Sequence, residues 1–235
     1  MKFGSDFSRG MTHGIPIALG YLSVSFGFGI TAVASGLSVF EASAISATNL
    51  TSAGQAAGID VIAVGGTILE MILLQLTINI RYSLMALSLS QKLDKRFTTP
   101  HRLLASYGIT DEIFAVCSAQ KGMLSPAYMY GMILIATLGW VIGTFLGASA
   151  GQLLPESVSS ALGIVLYGMF LAIIVPPSKK SRNIMCVVIV SAVLSLLFRY
   201  VITAVSSGFA VIICAVSASV LGALIFPVKD EEEQE

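Results

Sequence analysis

The chain has 235 residues, of which 55% are hydrophobic and 11% charged, and its 13 basic and 13 acidic side chains give a formal net charge of zero. Soluble domains carry about 25% charged residues, so the composition excludes an ordinary water-soluble fold, and the zero net charge argues against a nucleic-acid partner. What it fits is an integral membrane protein.

Four intervals, 122–155, 157–178, 183–198 and 200–228, contain no Asp, Glu, Lys or Arg, and a spanning helix takes about 20 such residues. The long alternation of membrane β-strands is absent, so the expected fold is all-α and polytopic. It comprises about six full transmembrane helices plus two partial or broken helices in a single membrane domain, 1–235, with both termini cytoplasmic.

At the N-terminus Lys2 and Arg9 precede an apolar run that contains Ala32-Val33-Ala34, a tripeptide resembling a signal cleavage site. The run from Gly14 is longer than the roughly 7–15 residues of a signal core, so 14–36 reads as the first span. Pro16 and Gly20 interrupt it. Small residues in Ser23-Val24-Ser25-Phe26-Gly27-Phe28-Gly29 let a neighbouring backbone come close. Glu41 then marks a membrane edge.

Residues 42–57 differ in kind. Ser46-Ala47-Thr48-Asn49-Leu50-Thr51-Ser52-Ala53-Gly54-Gln55 is too short and too polar to cross lipid alone, yet uncharged. It predicts a partial helix dipping in from outside, with irregular backbone lining a cavity. Asn49, Thr51, Ser52 and Gln55 are therefore candidate substrate contacts. The alternative is a buried helix whose hydroxyls bond back to its own carbonyls.

The next span, 59–89, carries Glu70, Gln75, Thr77, Asn79 and Arg81. A charge at the centre of a spanning helix costs roughly 2.5–3.5 kcal/mol, so such residues face protein or water. At about 100° per residue Glu70, Thr77 and Arg81 share one stripe. Gln75, Asn79 and Tyr82 share the opposite one. Asn79 joins the candidate substrate contacts, Arg81 is a candidate charge pair, and Glu70 is a candidate ion-coupling group.

Lys92, Lys95, Arg96, His101 and Arg102 make the most basic loop, placed in the cytoplasm by the positive-inside bias. Residues 103–120 repeat the partial-helix theme: Gly108 breaks the helix, Thr110 caps the next one, and Asp111-Glu112 occupy its first turn. One reading is a capped surface helix. The other puts two carboxylates at a cavity, where desolvation raises a carboxyl pKa, making Asp111 and Glu112 ion-coupling candidates beside Glu70.

Spans at 126–147 and 158–175 follow, the second stopping at Pro176-Pro177, then a cytoplasmic loop with Lys179, Lys180 and Arg182. Spans at 184–203 and 207–226 form a closing hairpin before the acidic tail, 229–235. Arg199 is expected to snorkel to the interface. Cys117, Cys186 and Cys214 lack paired spacing and read as small buried hydrophobes. No enzyme motif, metal constellation or cofactor loop appears.

The inventory suits carriage of a small zwitterion. It also carries a resemblance. Gly14-Ile15-Pro16 with Gly20 and Phe26-Gly27, then Ser46 through Gln55, Asn79-Ile80-Arg81-Tyr82, and Thr110-Asp111-Glu112-Ile113-Phe114 together resemble the AzlC family of branched-chain amino acid permeases, over roughly residues 8–155. The family pattern Phe-Ala-Gly-Ser-Ala-Gln is replaced here by Leu50-Thr51-Ser52-Ala53-Gly54-Gln55, which loses the aromatic ring and moves the glycine. The resemblance implies a multi-pass protein of the cytoplasmic membrane. It would export Val, Leu, Ile and related apolar amino acids such as Met, with a smaller hydrophobic partner subunit of the AzlD type. Two other classes stand beside it: a passive pore for a small neutral solute, and a structural subunit inert without its partner.

Overall fold

The computed structural model describes residues 3–151 and 174–227, with isolated positions 153, 155, 157, 168 and 171. Among these residues all regular structure is helical, apart from one isolated backbone bridge between Leu93 and Leu124. Five helices are long and apolar enough to cross a membrane: α1 (Phe3–Ala34), α4 (Ile68–Ser90), α7 (Pro126–Gly151), α8 (Arg182–Tyr200) and α9 (Ser207–Ile225). Four shorter ones, α2 (Val39–Thr48), α3 (Ser52–Ala63), α5 (Thr99–Ser106) and α6 (Asp111–Ala119), come in two pairs. The expected span at 158–175 and the tail at 229–235 lie almost wholly outside the described residues.

Contacts divide the chain into two units, Met1–Ile59 with Asn79–Leu166 and Asp60–Ile78 with Tyr167–Glu235. The first is built on α1 and α7, which run parallel in close contact over their whole length. Glycines permit this approach. A methyl group at Gly139 would lie 2.4 Å from the Ala18 carbonyl oxygen, at Gly143 2.4 Å from that of Leu22, and at Gly147 2.0 Å from that of Phe26. Without a water-driven force between helices in lipid, this backbone-to-backbone van der Waals contact is what joins them.

α1 begins 11 residues before the expected 14 and ends at Ala34. There Gly36 takes φ +96° and the Leu37 N–H reaches back to the Ala32 carbonyl at 3.1 Å, the glycine-dependent end that satisfies orphan carbonyls. α2 then enters from the side where α1 ends. α3 returns to that side, because Ile59 packs in one buried cluster with Phe28, Ala32, Leu37, Ala42 and Ala148. The segment 42–57 is thus a two-helix re-entrant hairpin with its tip at Asn49-Leu50-Thr51.

The second pair enters from the opposite end. Lys92 Nζ donates to the Gln120 carbonyl at 2.8 Å, and the Asp94 N–H donates to the Leu124 carbonyl at 3.0 Å. Both are near the N-terminus of α1, since Arg96 Nη2 lies 3.9 Å from Asp6 Oδ2. Residues 103–120 therefore also re-enter, as α5 and α6, with a tip at Tyr107-Gly108-Ile109-Thr110. Two inverted hairpins meet inside one unit.

The expected continuous span at 59–89 is corrected. α3 ends at Ala63, and α4 starts at Ile68. Gly65 takes φ +66° and the Gly66 N–H bonds the Val61 carbonyl at 2.8 Å, while the Glu70 N–H bonds Thr67 Oγ1 at 3.1 Å. A glycine stop followed at once by a threonine cap outweighs the apolar run. Glu70 consequently sits in the first turn of α4, where the helix dipole favours an acid.

In the second unit α8 and α9 form an antiparallel hairpin with Gly222 seated against Val187. Their bounds fall within a few residues of the expected 184–203 and 207–226. Residues 174–180 are helical through Pro176 and Pro177, so the expected stop there is corrected too. A proline carbonyl still accepts, and the Ser181 N–H bonds that of Pro177 at 3.0 Å. The break falls instead at Ser181, which caps α8.

Candidate functional site

The two hairpin tips meet at a cavity of about 210 Å³ lined by Thr48, Asn49, Leu50, Thr51, Asn79, Tyr82, Ser106, Tyr107 and Ile109. Each contribution follows from local geometry. α2 stops because Asn49 turns extended, at φ −140° and ψ 99°, and two residues later Thr51 heads α3. Its hydroxyl oxygen accepts from the Gly54 N–H at 3.4 Å and its carbonyl from the Gln55 N–H at 2.8 Å. The same hydroxyl donates to Asn79 Oδ1 at 2.8 Å, and Tyr82 donates to it at 3.4 Å. Asn79 and Tyr82 are three residues apart on α4, hence on one face, the face that the angular argument separates from Arg81.

Tyr107 ties the tips together, its hydroxyl donating to the Ala47 carbonyl at 2.6 Å. That carbonyl is one of the last four of α2, which have no partner within the helix. Gly108 lets the tip lie against α7, since a methyl there would sit 2.4 Å from Ile133 Cγ2. Thr110 caps α6 as expected, its hydroxyl oxygen accepting from the Ile113 N–H at 3.4 Å.

Buried Tyr21, from α1, has its hydroxyl 2.6 Å from both Thr110 Oγ1 and Glu112 Oε2. One phenol proton serves one acceptor, and a carboxylate is the stronger. The run is then Ile113 N–H to Thr110, Thr110 hydroxyl to Tyr21, and Tyr21 hydroxyl to Glu112. Arg81 and Asp111 form an ion pair at 2.9 Å, with the guanidinium 5.0 Å above the Tyr82 ring. Both partners are a little over 40% exposed, so the pair is open to exchange with a bound charge.

Of the candidate substrate contacts, Asn49, Thr51 and Asn79 line the cavity together. Gln55 does not. It is buried, accepting from the Trp140 indole at 2.9 Å and donating to Ser46 Oγ at 3.3 Å, while Ser46 pairs with Thr144 at 2.7 Å. That web fastens α2 and α3 to α7. Ser52 is half-buried in the first turn of α3 and is not among the lining residues.

Glu70 belongs to the second unit. It is 3% exposed, and its Oε1 accepts from the Ser206 hydroxyl and from the Gly208 N–H at 3.0 Å. Ser206 stands at the head of α9 without capping it. The Glu70 carboxylate does so instead, on the positive end of that helix.

Tyr21, Tyr107 and Trp140 were not among the sequence candidates. The one signal was the chain's single tryptophan, since a buried indole N–H needs an acceptor.

The family model described as "AzlC protein" matches residues 16–154, a stretch that includes both hairpins and every residue lining the cavity. An uncharacterized membrane protein of Archaeoglobus fulgidus is 32% identical over 76% of this chain and 78% of its own. The inner membrane protein YgaZ of Escherichia coli K12 is 26% identical over 77% and 76%, and an uncharacterized membrane protein of Helicobacter pylori 26695 is 24% identical over 77% and 80%. No solved structure matches the chain. Apolar helices long enough to span, a family match that contains both hairpins, and relatives named as membrane proteins that match along most of their length make this chain a multi-pass membrane protein belonging to the AzlC family.

Proposed function

We propose that the protein is a secondary transporter exporting branched-chain and related apolar amino acids, Val, Leu, Ile and Met, across the cytoplasmic membrane. The observation that carries the reading is the small cavity where two oppositely entering hairpins meet, lined by hydroxyls, amides and two tyrosine rings. Broken helices that place irregular backbone at depth are how transporters hold a small ion or zwitterion. At about 210 Å³ the cavity lies below the roughly 300–1,000 Å³ of drug-sized pockets and suits one small solute.

The substrate carboxylate goes to the first turn of α3, which carries no acid of its own and is a positive helix end. Asn49, Thr51 and Asn79 supply its hydrogen bonds. The ammonium goes to the side of the other tip, where Asp111 is balanced by Arg81. The coupling proton belongs on Glu112 or Asp111, with Tyr21 orienting Glu112. Glu70, engaged in capping α9, is the third carboxylate in that role. The family resemblance supports a small hydrophobic partner subunit of the AzlD type.

Counterflow in proteoliposomes tests this. Internal unlabelled leucine should drive uptake of labelled leucine, with saturation, competition by Val, Ile and Met, and a shift when a pH gradient is imposed. Flux that is linear in leucine and indifferent to internal amino acid overturns the reading. It would favour the second one, a passive pore, which the meeting of two re-entrant tips also allows.

A further inference from the structure

A second chamber lies next to the central cavity, in the same unit. It has a volume of about 260 Å³, and its walls are mainly Ala86, Leu89, Leu93, Phe97, Leu103 and Met129. Ser106 and Ile109 line both spaces, so the C-terminal turn of α5 and the α5–α6 tip form a partition with a chamber on either side.

Its polar side chains are Ser90, Thr99, Arg102 and Ser106. Arg102 is exposed at the rim, its Nε donating to the Phe97 carbonyl at 3.3 Å, and none of the ion pairs among the described residues involves it. Ser90 and Ser106 spend their protons on their own helices, donating to the carbonyls of Leu87 at 2.6 Å and Leu103 at 2.7 Å. Their oxygens keep only acceptor capacity toward the chamber. A guanidinium for a carboxylate, two hydroxyl oxygens for an ammonium and an apolar wall for an aliphatic side chain together fit an apolar α-amino acid.

The geometry points to a second amino-acid site in this chamber, one that takes the same apolar α-amino acid as the central cavity and holds it beside that cavity, its carboxylate on Arg102. This rests on the transport reading above. It goes beyond it by giving the chain two binding places separated by the Ser106/Ile109 partition, the outer one walled by hydrocarbon and the inner one by amides and hydroxyls. The outer site selects for an apolar side chain; the inner one reads the zwitterion. Preference for aliphatic substrates then arises before the central cavity is reached.

Equilibrium binding of labelled leucine to the purified full chain in detergent separates the possibilities. The wild type is expected to bind two leucines per chain at saturation. Arg102→Gln should halve this to one, Arg102→Lys should keep two, and Asn79→Ala in the central cavity should leave one that Arg102→Gln then removes. The unfolding temperature of each variant shows that the loss is not one of folding, since Arg102 is exposed. One leucine per chain in the wild type, lost with Asn79→Ala and untouched by Arg102→Gln, overturns the second site and leaves the transporter reading intact. No leucine bound at all overturns both. A chamber that instead retains phospholipid, released by Arg102→Gln with no second leucine in the wild type, also overturns it.

Discussion

The two re-entrant hairpins share one construction and opposite chemistry. In each a short helix enters, breaks over three or four residues, and a threonine at the end of the break starts the returning helix: Thr51 for α3 and Thr110 for α6. After Thr51 come Ser52 and Ala53; after Thr110 come Asp111 and Glu112. One helix start is therefore left positive. The other is neutralised by its own acids, which are in turn held by Arg81 and Tyr21. The two hairpins therefore differ in charge at the starts of their returning helices, close to where their tips meet.

Removing the charge at the acidic tip should have the largest effect. Hydrogen bonds to charged groups contribute about 1.5–3 kcal/mol, so Asp111→Asn, which leaves Arg81 without its carboxylate, is expected to lower leucine counterflow by about ten- to a hundredfold. Unaltered counterflow would make the contrast between the tips incidental. Making the tips alike from the other side comes next. Ser52→Asp neutralises the start of α3, and a charge there is worth about 1 kcal/mol, so half-saturating leucine should rise by about fivefold with the maximal rate little changed.

The partition between legible and illegible features follows the range of the interactions. The break at Gly108, the cap at Thr110 and the uncharged polar stretch at 46–55 were readable because each is a local device. The stop between α3 and α4 was equally local. Gly65-Gly66 followed by Thr67, with Glu70 three residues on, spells a helix end and a capped start, but a long apolar run on either side masked it. Read as one span, 59–89 puts Glu70 mid-helix, whereas the stop puts it in the first turn of α4, where it meets the head of α9. The roles of Tyr21, Tyr107 and Trp140 were not readable at all. Their partners lie 60 to 91 residues away in sequence, and no periodicity encodes such pairs. Gln55 shows the same limit. It looked like a ligand contact by type, and a buried indole claims it.

The breaks can also be compared by what packs on them. At the α5–α6 tip Gly108 is pressed on Ile133, whose branched side chain has little freedom to withdraw. Gly108→Ala should lower stability by about 1–3 kcal/mol, the usual range for overpacking, and read out as a lower unfolding temperature. At the other tip buried Leu50 fills space, so Leu50→Ala should also destabilise, by the opposite mechanism of a cavity. An Asn79 variant, which alters the lining without altering either packing contact, should leave the unfolding temperature near that of the wild type while reducing leucine binding.

The smallest effect concerns how the hairpins begin. α2 opens with a complete capping box: the Glu41 N–H donates to Ser38 Oγ at 3.2 Å, and Glu41 Oε2 accepts from the Ser38 N–H at 2.8 Å and the Ser38 hydroxyl at 2.7 Å. α5 opens on Thr98, which makes no side-chain cap, with Pro100 in its first turn. The Ser38 N–H, and after it the Ser38 hydroxyl, hold the Glu41 carboxyl below the usual carboxylate range. A depressed pKa stabilises the folded form above the ordinary carboxylate value of about 4.3, and that contribution disappears as the pH falls through the lowered value. Glu41→Ala should therefore speed amide hydrogen exchange in α2 at neutral pH, and the gap from the wild type should close as the solution is acidified past that point. Thr98→Ala should alter exchange in α5 equally little at both pH values. A gap for Glu41→Ala that persists in acid would mean that packing of α2 on α7, not the box at its start, sets the stability of this hairpin.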